Sequence, residues 1–121
     1  MSEVKDLKIE RCELRRRRRI AKARLERESA RKALLSKLIR TERQVVQVRA
    51  WIVSQEARIA TRPDPALDRM LKWARAQLAA LEAVLDPIQL SEVLYDRELF
   101  PQVDELDDPL GDPPPERPWG P

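Results

Sequence analysis

Five consecutive arginines, Arg15 to Arg19, concentrate the chemistry of this sequence, and Lys22 and Arg24 follow closely. A guanidinium presents a planar fork of donors that matches phosphate and carboxylate oxygens. Arginines packed this closely repel one another unless a polyanion or an acidic partner lies among them. Arg15, Arg16, Arg17, Arg18, Arg19, Lys22 and Arg24 are therefore the expected nucleic-acid-contacting set, touching phosphate without reading sequence. Two readings compete with it. One is docking of an acidic protein surface. The other is a solvated helix face laced with i, i+4 pairs such as Glu13–Arg17 and Glu28–Lys32.

Catalytic chemistry has little to work with. There is no histidine and a single cysteine, Cys12, which excludes an intramolecular disulfide and gives no support to a zinc site. No Gly-rich phosphate loop or nucleophile elbow is present. Ser29, Ser36 and Ser54 lie in helix-forming text without an activating partner. The acidic run Asp104, Glu105, Asp107 and Asp108 lacks the central glycine and spacing of a Ca²⁺ loop. The expectation is a protein that is not an enzyme and holds neither cofactor nor metal.

The elements that would position the arginines follow from composition. The two glycines, Gly111 and Gly120, both lie in the last eleven of 121 residues, and Ala, Leu, Arg, Glu and Gln dominate the rest. Such text favours helix and offers few cheap routes to positive φ. Charge is sorted along it. Residues 8–32 carry twelve Lys or Arg against four Glu, and residues 86–121 carry two Arg against ten Asp or Glu. A basic arm and an acidic tail thus flank a mixed middle.

In that middle Leu38, Thr41, Val45, Val48, Ile52, Gln55 and Ile59 are spaced alternately by three and four. So are Leu67, Leu71, Ala74, Leu78, Leu81 and Leu85. These are two heptad seams. Between them, Thr61-Arg62-Pro63-Asp64-Pro65 stops one helix and can start another, because proline suits the first helical turn. Pairing Ile59 with Leu67 and working outward to Thr41 with Leu85 keeps the residue numbers summing to 126. Two seams folded about one turn have that property. The fold class expected is all-α, an antiparallel, coiled-coil-like helical hairpin over residues 34–86 with its turn at 61–65.

Residues 1–33 form the expected basic helical stem, and residues 4–40, which have no partner within the hairpin, would project roughly 55 Å as a helix at about 1.5 Å per residue. Its own seam is weak: Val4, Leu7, Leu14, Ala21, Leu25 and Leu35, interrupted by Arg11, Arg18, Glu28 and Lys32. In layout the stem resembles the basic region of leucine-zipper factors, but such factors read bases with an asparagine and this sequence has none. Asp86-Pro87 should end the second hairpin helix. Residues 87–121 are expected to hold a short third helix begun by Ser91 in SEVLYDRELF, then an extended or disordered acidic, proline-rich tail. The tail is read as solvating, as a docking element anchored by Leu106, Leu110 and Trp119, or as a cover for the basic stem that competes with a polyanion.

The hairpin carries more apolar surface than two helices can bury. Ile39, Val46, Trp51, Val53, Met70 and Trp73, with Leu94, Tyr95, Leu99 and Phe100 of the third helix, are the expected protein-interface residues. A homo-oligomer, favoured as a dimer, would cover them. No apolar run approaches a membrane span, and no secretory leader is legible, so the expected location is cytoplasmic, or nuclear in a eukaryote given the arginine run. The leading functional expectation is an oligomeric nucleic-acid-binding protein. The second is an adaptor or assembly subunit docking proteins through stem and tail.

Overall fold

The computed structural model describes residues 2–114, which are all-helical in their regular structure: α1 (Ser2–Thr61), α2 (Pro65–Leu85) and α3 (Pro87–Asp96). α1 runs for 60 residues because neither glycine nor proline interrupts it. It stops before Pro63, with the Thr61 hydroxyl donating to the Arg58 carbonyl at 2.9 Å. Asp64 then caps α2, its carboxylate accepting from the Ala66 and Leu67 amides at 3.1 and 3.2 Å, with Pro65 in the first turn. Asp86, extended before Pro87, ends α2 as expected.

α3 departs from expectation at both ends. It begins at Pro87, four residues before Ser91, because a proline at the first position surrenders only an amide that would be unpaired there anyway. Asp86 occupies its cap position without a side-chain hydrogen bond. α3 closes with the Leu99 amide donating to Leu94 O and the Glu98 amide to Tyr95 O, each at 3.2 Å. That paired closure needs a left-handed residue, and Glu98 supplies it at φ 50° where glycine is usual.

The chain divides into two compact units that share α1. One spans Lys32–Phe100 and contains the hairpin and α3. Its core is the expected seam. Ile52, Leu71 and Ala74 are buried together, and Val48, Trp51, Ile59 and Leu78 pack around them. Thr41 is buried in line with Val45, its hydroxyl donating to the Lys37 carbonyl at 2.7 Å so that no polar group is orphaned. Arg49–Glu82 at 2.6 Å and Arg75–Glu56 at 3.0 Å bridge the two helices along one flank.

The expected interface residues separate. Leu99 is buried, Leu94 and Trp51 are half-buried, and Ile39, Val46, Val53, Met70, Trp73, Tyr95 and Phe100 are exposed. α3 therefore leaves the outer hairpin stripes uncovered. It follows α2 directly, and Leu90 and Val93 face a shallow groove shared with Leu34, Leu38 and Val84.

The other unit joins α1 up to Arg31 with the tail from Pro101. Here the tail is turned rather than extended. The Asp104 carboxylate accepts from the Leu106 amide, and the Asp108 carboxylate from the Leu110 amide, each at 3.0 Å. Backbone bonds Asp107 N to Asp104 O and Gly111 N to Asp108 O close two successive turns, the second using Gly111 at φ 78°. Trp119 of the expected docking element lies outside the described residues. Among the described residues no helix is long and apolar enough to cross a membrane.

Candidate nucleic-acid interface: an arginine face and its acidic cover

Helical geometry sends the arginine run around α1, so neighbours in sequence face different surroundings. Arg17 donates from Nε to Asp108 Oδ2 at 2.8 Å and from Nη2 to the Gly111 carbonyl at 3.2 Å. Arg18 Nε donates to the Pro114 carbonyl at 3.1 Å. Arg24 reaches Asp112 at 2.8 Å, and Arg27 grips both oxygens of Asp104 at 2.8 and 3.1 Å. The aspartates recur every fourth residue, at 104, 108 and 112, and each meets one arginine. The two Asx turns hold Asp104 and Asp108 in place, which lowers the entropy each ion pair must overcome.

Electrostatics follow from these contacts. Arg27, with help from the Leu106 amide, lowers the Asp104 carboxyl to about 2, and Arg17 with the Leu110 amide lowers Asp108. Asp104 in turn raises Arg27. The fit is incomplete: Nε of Arg24 and Nε of Arg27 are buried without a hydrogen-bond partner. A buried donor left unmade is a standing cost that a better-shaped anion would remove.

The remaining cations of the expected set differ. Arg16 turns to Glu13 at 2.6 Å, an i, i+3 pair in place of the expected Glu13–Arg17, which raises Arg16 and lowers Glu13. Glu28 likewise pairs with Arg31 rather than Lys32. Arg17 is unavailable to Glu13 because Asp108 holds it. Arg15, Arg19 and Lys22 are exposed and have no ion-pair partner among the described residues. Lys8 and Arg11, not in the expected set, share both properties. Lys8, Arg11, Arg15, Arg19 and Lys22 are three or four residues apart, which lines them along one side of a helix over roughly 21 Å.

The weak apolar seam expected for the stem is a correction. Val4, Leu7, Leu25 and Leu35 are exposed, and only Leu14 and Ala21 of that series are partly covered. Arg17, Ile20, Arg24, Arg27 and Arg31 are among the partly covered positions. Their spacing is legible in the sequence. Counting back from Leu38 by four and three gives Leu34, Arg31, Arg27, Arg24, Ile20 and Arg17. The hairpin's heptad thus continues through the numbering with arginine in place of aliphatics. Asp104, Asp108 and Asp112 at constant spacing were the matching signal in the tail. Comparison with family models, with characterised proteins and with solved structures returns no match.

Proposed function

We propose that this chain is a non-enzymatic helical protein that binds nucleic acid through the basic stem. The supporting observation is the stripe Lys8, Arg11, Arg15, Arg19 and Lys22: five exposed cations without carboxylate partners among the described residues, on a helix where Arg17, Arg24 and Arg27 are each matched by an aspartate. A rigid row of cations at this spacing suits a phosphate backbone and carries no base readout. Arg17, Arg24 and Arg27 form a reserve, since a polyanion reaches them only by displacing the tail.

The test is titration of the whole protein against labelled duplex DNA and single-stranded RNA at several salt concentrations. If all five cations meet phosphate on duplex, log K should fall with log salt at a slope of roughly −4.5, from about −0.9 per contact. Replacing Arg15, Arg19 and Lys22 by alanine should shorten that slope by nearly three. Deleting residues 101–121 should tighten binding. Absence of binding at low salt sinks the reading.

One observation favours a second reading. The stem already grips an acidic peptide with regularly spaced aspartates, so an acidic segment of a protein partner is a chemically equivalent occupant, as in an adaptor or assembly subunit. A complex of that kind resting also on apolar contacts would weaken far less with salt.

A further inference from the structure

The hairpin's α1 carries a second heptad series that nothing in its own unit covers. Ile39, Arg43, Val46, Ala50, Val53 and Ala57 alternate in steps of four and three, and all are exposed. Val46 and Val53 keep 59% and 61% of their surface. The internal seam uses the neighbouring positions Leu38 to Ile59, so this stripe is not a by-product of packing against α2. Heptad spacing of aliphatic residues on an unoccupied helix face is the pattern another helix fills.

We infer that the occupant is a second copy of this chain, its α1 lying antiparallel on this stripe with the two-fold axis beside Val48. Size complementarity is satisfied in that alignment. Ile39 then faces Ala57 of the second copy and Val46 faces its Ala50, each large side chain meeting a small one. Val53 faces Arg43, whose methylene stem covers it while the guanidinium reaches water.

Charge fixes the register independently. The hairpin's own bridges, Arg49–Glu82 and Glu56–Arg75, show the offset at which flanking residues meet in an antiparallel pair. The mirror-image offset on this stripe sets Glu42 against Arg49 of the second copy, twice by symmetry. Arg49 uses one Nη2 contact on Glu82, and a guanidinium has further donors for a second carboxylate. Sliding by one heptad would instead oppose Glu42 with Glu56 and Arg49 with itself. Like charges so placed disfavour that register.

The inference concerns the hairpin and does not depend on what the stem binds. Sedimentation equilibrium of the whole protein over a wide concentration range tests it, with circular dichroism confirming that each variant retains its helix. Wild type should be a dimer. Val46→Glu and, separately, Ala50→Arg should be monomeric, while Trp73→Glu, on exposed α2 surface away from the stripe, should remain dimeric. Glu42→Lys should weaken association by about tenfold, because it places a cation against Arg49. A monomeric wild type, dimeric Val46→Glu and Ala50→Arg proteins, or a monomeric Trp73→Glu protein would overturn the assignment of the surface. Unchanged affinity in Glu42→Lys would overturn the antiparallel register.

Discussion

In the hairpin unit α1 presents Val48 and Ile52 to Leu71, Ala74 and Leu78; in the stem unit the same helix presents Arg17, Arg24 and Arg27 to Asp108, Asp112 and Asp104. The positions follow one three-and-four spacing, but the chemistry differs. Aliphatic seams gain from removing area from water, and tolerate imprecise geometry and any salt concentration. An arginine seam needs a partner of matching charge at each step. Its free energy is directional, screened by ions and lost on protonation. Shared periodicity therefore does not imply shared strength. The hairpin rests on buried aliphatic area, and the tail's hold on the stem rests on ion pairs that salt and acid weaken.

Leu71→Ala should show the largest effect. Leu71 is 1% exposed at the centre of the hairpin cluster, so truncation should cost about 3 kcal/mol in urea unfolding followed by circular dichroism. A loss below about 1 kcal/mol would mean that the seam is not the hairpin's main support.

Salt should separate the units next. At 1 M the Debye length shrinks to about 3 Å, so the tail should become much more open to proteolysis between residues 101 and 114. The hairpin's melting temperature should barely move over the same range. Parallel loss of both would break the distinction. Acid offers a finer cut. Asp104 and Asp108 have lowered pKa values in the folded chain, so their contribution is complete above the ordinary aspartate value near 3.8. It should disappear as pH falls toward about 2, where Asp104 protonates. Carboxyl chemical shifts recorded by NMR across that window should report release of the tail. A tail still closed at the lower end would show that the aspartate pairs do not hold it.

Two smaller changes test the ends of the hairpin unit. Asp64→Ala removes both cap bonds of α2 and should cost about 1 kcal/mol. Glu98→Gly relieves a non-glycine residue at φ 50° and should stabilise by up to about 1 kcal/mol, read as a raised thermal midpoint. Neither should alter the salt response of the tail, and a change there would couple the two units.

Much of the hairpin was legible in the residues. The turn at Pro63 and Pro65, the paired seams and the stop at Asp86-Pro87 all rest on local rules: proline geometry and the period of a helix. The start of α3 was misplaced because Ser91 is a good cap and Pro87 an equally good first-turn residue, and local preference does not rank them. The stem was harder. A search for apolar spacing passes over Arg17, Arg24 and Arg27, since arginine normally marks a solvent face.

By itself, then, the sequence determined the helices, the hairpin register and the separation of basic from acidic text, because each depends on neighbours a few residues apart. Only the tertiary structure decided which arginines are spent on the tail and which remain exposed. Chain entropy leaves a proline-rich acidic segment free to go anywhere. What places it is the match between Asp104, Asp108 and Asp112 and three guanidinia 77 to 91 residues away in sequence. That pairing is a property of two distant segments in contact, and neither segment specifies it without the other.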